Sequence, residues 1–262
     1  MDKIPEDPKV LRQMIREGKL DRPTSGLALG FSQANLVILP KDVAFDFMLL
    51  CQRNPKPCPL LEVIEPGNFE PQKYGKGADI RTDISKYRIY KGGELSDEVG
   101  NVTGVWSNEF VSFLIGCSFT FESALIKADI PLRHWDQNKN VSMYITNREV
   151  VPAGKFHGKL VVSMRPIHKD HLVKTIQITS RFPDMHGAPI HIGSPIEMGI
   201  EDLNDTDYGD PVEVLEGEVP VFWACGVTPQ AVALSSKPSM MITHSPGHMF
   251  ITDIKDETLE VK

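Results

Sequence analysis

The run VSMYIT at residues 141–146, then LVVSM at 160–164 and DHLVKTIQIT at 170–179, reads as two short strands followed by a helix. Aliphatic, β-branched and aromatic residues fill the first two runs over strand-like lengths, and Leu172, Val173 and Ile176 share one helical face in the third. A strand pair followed by a helix buries its apolar side by folding the helix over the sheet. Residues 140–184 therefore read as a smaller two-layer α+β subdomain, embedded in a layered α/β main domain made of 1–139 and 185–262.

The same alternation continues on both sides. Upstream, Asp7 is placed to cap a short helix with Pro8 at its first position, Val10, Leu11, Met14 and Ile15 on its apolar face, and Gly18 at its end. LVIL at 36–39 reads as a strand, although a short helical run would look the same, and is followed by a helix over about 41–53 that buries Val43, Phe47 and Leu50 before Asn54-Pro55 stops it. Leu60 to Ile64 is a further strand, and the glycine-containing stretch after Pro66 a long connection. Ser107 is expected to cap a helix running through Ile115, and a second helix, Phe119 to Ala128, to follow the polar turn Gly116-Cys117-Ser118. Downstream, Ser194-Pro195-Ile196-Glu197 has the form of a helix cap, 220–224 of a strand, Thr228-Pro229-Gln230 of another cap and 239–243 of a last strand.

With 262 residues, 41% hydrophobic and 24% charged, the chain has both core material and solvated surface. A net charge of -7 opposes coating of nucleic acid, which needs a continuous basic surface to release counterions. The start MDKIPEDP has no basic segment leading into an apolar run, and no apolar stretch approaches membrane-spanning length, so a cytoplasmic protein without a membrane partner is expected. Cys51, Cys58, Cys117 and Cys225 form neither a CxxC pair nor a dense disulfide framework, which fits a reducing compartment and buried thiols.

Polar residues collect where secondary structure alone does not require them. In GCSFTFE, 116–122, Glu122 reads either as a surface or capping carboxylate or as an acid/base group near a helix start, and Cys117 and Ser118 either as packing or as substrate contacts. HGAPIH at 186–191 and HSPGH at 244–248 each pair two imidazoles around glycine and proline. His186, His191, His244 and His248 could exchange protons with a substrate, hold a metal, or serve structure. Asp210 reads as a solvated turn or a partner for a ligand amine. Thr228 and Gln230, leaving a strand, read as a cap or as anion and amide contacts. Arg133, Arg165 and Arg181 are candidate carboxylate clamps set against ordinary ion pairing, and Asn147 a turn residue or substrate contact.

Walker, spaced dinucleotide-glycine and GxSxG patterns are missing, so no nucleotide cofactor is expected. The sequence leaves a divalent metal open.

Taken together, GCSFTFE (116–122), HGAPIH (186–191), DYGD (207–210), WACGVTPQ (223–230), THSPGH (243–248), QANLVILP (33–40) and NPKPCPLL (54–61) resemble a bacterial family named as hydro-lyases and related to D-glutamate cyclase. The resemblance runs from about Gly18 to Asp253. It implies an enzyme that eliminates water from a small amino or hydroxy acid. The cyclase joins the amine of D-glutamate to its side-chain carboxyl group, giving 5-oxo-D-proline and water.

Such a reaction needs the substrate curled, its α-carboxylate neutralised, its ammonium deprotonated and its side-chain carboxyl polarised. Onto the matching positions the expectation is Glu122 or His191 as base, His244 or His248 as acid, Arg133 or Arg181 as clamp and Thr228 as polarising group. An α,β-dehydratase of another small acid and a non-catalytic small-acid binder are the alternatives. Homo-oligomerisation is compatible with either.

Overall fold

The computed structural model describes residues 4–261, so the first three residues of the MDKIPEDP start lie outside it. In chain order the elements are α1 (Pro8–Arg16), β1 (Phe31–Pro40), α2 (Lys41–Arg53), β2 (Leu60–Ile64), β3 (Tyr87–Lys91), β4 (Glu94–Val99), β5 (Phe110–Gly116), α3 (Phe119–Lys127) and α4 (Arg133–Asp136). Then come β6 (Ser142–Glu149), β7 (Lys159–His168), α5 (Leu172–Ser180), β8 (His191–Ile192), β9 (Glu218–Ala224), α6 (Thr228–Ser236), β10 (Met241–His244) and β11 (Phe250–Lys255).

The strands form two sheets, and every pairing among the described residues is antiparallel. The larger sheet has the order β2-β5-β1-β10-β3-β4, with β11 also on β1; the smaller has the order β6-β7-β9-β8. The mixed, layered α/β reading holds. The smaller sheet takes β6 and β7 from residues 140–184 and β8 and β9 from the chain beyond.

β1 is apolar because both faces of the larger sheet are covered. Val37 and Leu39 face α2, where Phe47 meets Phe113 edge-on at 4.9 Å, while Leu36 and Ile38 face a second cluster with Ile80, Tyr87 and Phe250. The same double burial corrects one expectation. Residues 107–115 do not form a helix: FVSFLIG is β5, buried at every position. A continuous apolar run has no period with which to tell the two structures apart. Ser107 does bond the Glu109 amide at 3.2 Å, but in a turn that feeds a strand.

Other local expectations need smaller corrections. Ser194 opens only a 3₁₀ turn, Pro195–Met198, and makes no side-chain cap. Thr228 is the first residue inside α6, not its cap, and α5 buries Thr175 and Thr179 while Val173 stays 67% exposed. In α1, Val10 is exposed and Arg12 is buried, bonded to the Ile251 carbonyl and Asp253. The capping of α1 by Asp7 and the bounds of α2 and β2 are as expected.

The turn at 116–118 thus joins a strand to a helix where the two sheets meet. Cys117 and Phe119 pack with Val141, Met143, Val161 and Cys225 from the smaller-sheet side. No helix among the described residues is long and apolar enough to cross a membrane.

Candidate active site

At this junction lies a small cavity of about 20 Å³, on the scale of one water molecule. Cys117 and Ser118 of the β5–α3 turn, His186, Cys225 and Gly226 after β9, Gly247 after β10 and Asn35 of β1 line it. Segments far apart in the chain meet here at very short range. An added Cβ on Gly116 would lie 1.9 Å from the Asp184 carbonyl oxygen, and one on Gly226 would lie 2.0 Å from Asn35 Nδ2. Asn35 Nδ2 donates to the Gly116 carbonyl at 2.6 Å, tying the larger sheet to the turn.

Behind Ser118 stands a buried charge network. Arg165 on β7 donates to Glu122 Oε1 through Nε at 2.9 Å and Nη2 at 2.5 Å, and also to Ser118 Oγ at 3.0 Å and Ser163 Oγ at 3.2 Å. Trp135 Nε1 donates to Glu122 Oε2 at 2.8 Å, and His134 Nε2 lies 3.1 Å from Oε1 without hydrogen-bond geometry. Burial alone would raise the Glu122 carboxyl, yet the pull of His134 and Arg165 outweighs it and holds the group at about 2. Glu122 is thus a fixed anion that orients Arg165, which in turn bonds Ser118.

His186 is the other polar group at the cavity. Its Nδ1 is 2.7 Å from the Lys56 carbonyl, which only accepts, so that nitrogen carries the proton and Nε2 keeps its lone pair. Nε2 has no partner in hydrogen-bond geometry although the residue is 1% exposed, while the Gly116 carbonyl, like that of Lys56, favours the protonated ring. Burial lowers the imidazole to about 4. Its backbone is left-handed, φ 74, an unusual conformation for a residue with a Cβ, and Lys56 Nζ holds the loop by bonding the carbonyls of His186 and Ala188 at 3.1 and 2.5 Å. The thiols are not nucleophiles of this kind: burial raises Cys117 and pushes Cys225 up to about 11.

The remaining expected site residues are spread around this centre. His244 is buried, its Nδ1 against the Leu36 backbone, and His248 Nδ1 is 2.8 Å from Ser85 Oγ; burial lowers both to about 4. Gln230 bonds Tyr90, Arg88 and the His244 carbonyl, so it belongs to a neighbouring polar cluster with Glu98 and Ser245. Thr228 Oγ1 is occupied by the Cys225 carbonyl at 2.6 Å and the Val161 amide at 3.2 Å.

His191 is on β8, where its Nε2 meets the Ser194 carbonyl at 2.7 Å, and does not line the cavity. Arg133 is ion-paired to Glu218 and Arg181 to Glu260, while Asn147 is exposed on β6. Asp210 accepts from the Asn140 amide at 2.7 Å. Among the described residues no three His, Cys, Asp or Glu side chains are grouped to hold a metal ion.

Asn35, Trp135, His134 and Lys56 were not singled out by sequence reasoning. Asn35 carried a usable signal, a polar residue directly before the apolar run Leu36 to Leu39.

A cleft of about 760 Å³ opens on the other side of this network, and His134, Trp135 and Asn140 are among the residues lining it.

Comparison with known proteins gives a concordant picture. The model of the family described as D-glutamate cyclase matches residues 111–253. A Thermoanaerobacter sp. (strain X514) protein named "Putative hydro-lyase Teth514_1597" is 63% identical over 252 residues, 96% of this chain and 95% of its own. "Putative hydro-lyase YcsI" of Bacillus subtilis (strain 168) is 59% identical over 254 residues, 97% of this chain and 99% of its own. Among solved structures, a nitrogen repressor-like protein, MJ0159 from Methanococcus jannaschii, is matched over 91% of this chain and 96% of its own, at 12% identity and a TM-score of 0.37. That likeness is too distant to speak to fold or function.

Proposed function

The chain belongs to the D-glutamate cyclase family, and from that premise we propose that it is a hydro-lyase that cyclises D-glutamate to 5-oxo-D-proline with loss of water. In this reaction the amine nitrogen forms a bond to the side-chain carboxyl carbon, a C–O bond of that carboxyl breaks, and the oxygen leaves as water. Two protons must leave the nitrogen, one before attack and one after it, and both must reach the departing oxygen.

His186 is the observation that carries the reading. It is a buried, neutral imidazole of the matched region whose Nε2 has no partner in hydrogen-bond geometry, at a cavity, on a strained backbone. It takes one proton from the ammonium before attack and the second from the nitrogen after it, and passes each in turn to the leaving oxygen, as a single base and acid. Ser118 accepts from Arg165, which leaves its own O–H free to donate to the carboxyl under attack. Glu122 stays ionised and positions Arg165. The roles first sketched for Glu122 and His191 as base pass in this reading to His186.

An amino acid is far larger than a cavity of about 20 Å³, so the cavity must widen for turnover. The test is time-resolved NMR of metal-quantified protein with D-glutamate, beside L-glutamate and the His186→Asn variant. Formation of 5-oxo-D-proline by the wild type alone is the expected result. Folded, metal-supplemented protein that leaves D-glutamate untouched overturns the substrate, and turnover by the variant at the wild-type rate overturns the role of His186.

A further inference from the structure

The string NPKPCPLL, 54–61, has no part in the reaction scheme above. In the fold its first half is a stiff turn between α2 and β2. Pro55 and Pro57 fix their own φ, and a residue before proline is kept out of the helical region, so Lys56 between them has little backbone freedom. The ends of the turn are tied down as well. The Cys58 amide donates to the Asn54 carbonyl at 3.0 Å and the Gly116 amide to the Pro59 carbonyl at 2.9 Å. Asn54 donates through Nδ2 to the Val151 carbonyl and accepts through Oδ1 from the Val151 amide, both at 2.8 Å.

From this platform Lys56 meets the His186 loop at three points. Its carbonyl accepts the Nδ1 proton at 2.7 Å, and its Nζ donates to the carbonyls of His186 and Ala188 at 3.1 and 2.5 Å. Of the two carbonyls that favour a proton on the ring, those of Lys56 and Gly116, only that of Lys56 is in hydrogen-bond geometry, so it selects Nδ1. The two Nζ bonds grip the backbone on either side of Gly187, next to the histidine whose φ is 74. Such a backbone persists only where its surroundings over-determine it.

The ammonium also bears on the charge of the ring. Burial is the main reason His186 stays neutral, and the positive charges of Lys56 and Arg165 act in the same direction. The other titratable groups at the cavity are the thiols of Cys117 and Cys225, both raised by burial, and Asp184 on the same loop is exposed.

We infer that Lys56 is a positioning residue for catalysis: set between two prolines, it fixes both the tautomer and the left-handed backbone of His186, and so leaves Nε2 as the unprotonated nitrogen. The catalytic consequence rests on the base assigned to His186 above; the tautomer does not. His186 lies inside the stretch matched by the family model, 111–253, and Lys56 outside it, so the N-terminal part of the chain completes the site.

The experiment pairs NMR of the ring with kinetics. Lys56→Met keeps the length of an exposed side chain and removes its donors and charge, while Lys56→Arg keeps both. The ring nitrogens of His186, assigned by their loss in His186→Asn, report its protonation in ¹H–¹⁵N spectra at neutral pH. In the wild type Nδ1 should carry the proton and Nε2 none. In Lys56→Met the two nitrogens should move toward averaged values, and kcat for D-glutamate should fall about tenfold or more with KM within about threefold. The acid limb of kcat/KM should move to higher pH, because a positive charge facing the ring is gone. Lys56→Arg should restore part of each change. A wild-type His186 with its proton on Nε2 overturns the inference without any variant. An unchanged tautomer or an unchanged kcat in folded Lys56→Met overturns it too, since Lys56 is then structural only. A tautomer that depends on Lys56 in protein that leaves D-glutamate untouched supports the positioning and overturns the cyclase reading.

Discussion

Arg165 reaches Glu122 with two of its nitrogens, Nε at 2.9 Å and Nη2 at 2.5 Å from the same Oε1, and neither side chain is more than 1% exposed. The pair joins β7 to α3 and so fixes the smaller sheet against the turn that carries Ser118.

Glu122→Gln keeps the shape and removes the charge, leaving a guanidinium buried without its counter-ion. The expected loss is about 3–5 kcal/mol of stability, read as a lowered urea midpoint. The wild-type carboxyl sits at about 2 against an ordinary 4.5, so its contribution is fully present above pH 4.5 and lost as pH falls through 2. The gap between wild type and variant should therefore be flat from pH 5 to 8. A gap that opened only near neutrality would contradict the ion-pair account.

His186→Asn should cost roughly 10²–10⁴ in turnover while the fold survives, because Asn tolerates the left-handed backbone that His186 adopts. His186→Ala should lose stability as well. Burial lowers the imidazole to about 4, so the base is available over the whole neutral range. The acid limb of kcat/KM for the free enzyme should lie near pH 4; a limb at pH 6–7 belonging to this residue would refute the assignment.

Gly226→Ala should destabilise by roughly 1–3 kcal/mol, since its Cβ falls 2.0 Å from Asn35 Nδ2. Because the obstacle is a side chain, Asn35→Ala in the same protein should recover part of the loss, a coupling that a double-mutant cycle in urea measures. Gly116→Ala meets a backbone carbonyl oxygen at 1.9 Å and should admit no such rescue by truncation of a side chain.

Asp256 is 5% exposed, and burial, outweighing the pull of Ser123 and Lys127, raises its carboxyl to about 7 from an ordinary 3.8. The folded state then holds a proton that the unfolded state has released, so this group costs stability progressively from about pH 4 to 7. Asp256→Asn should gain thermal stability relative to wild type as pH rises over that window and plateau above it. His186, His244 and His248 act in the opposite direction: with folded values of about 4, they cost stability as pH falls from about 6.5 towards 4. A melting-temperature difference for Asp256→Asn that is constant from pH 4 to 8 would show that the carboxyl is not protonated in the fold.

Local signals carried the helices at 8–16 and 41–53 and the strands β2, β6, β7 and β9, because each has a cap, a proline stop or a compact β-branched run to mark it. They failed at β5, where burial on both faces erased the period, and missed β3, β4 and β11: β4 is exposed along almost its whole length and shows no apolar alternation although its partner β3 is its neighbour in the chain, and β11 pairs with the distant β1. The site was legible as separated strings and not as a geometry. Ser118 and His186 stood within those strings, but that they share a cavity while His191 lies on a sheet edge depends on contacts between the sheets. The Glu122–Arg165 pair had no local signature, since its members are brought together only by tertiary packing.

β1 pairs along one edge with β5 and shares its other edge between β11, at Phe31 to Ala34, and β10, at Val37 and Ile38. During synthesis at 5–20 residues per second, β1 is made roughly 10–40 s before the last of these neighbours leaves the ribosome. Throughout that interval one of the most apolar strands of the protein has an unsatisfied backbone edge and waits for the C-terminus. Nascent chains halted before residue 241 should therefore be the form of this protein that chaperones hold and proteases clear.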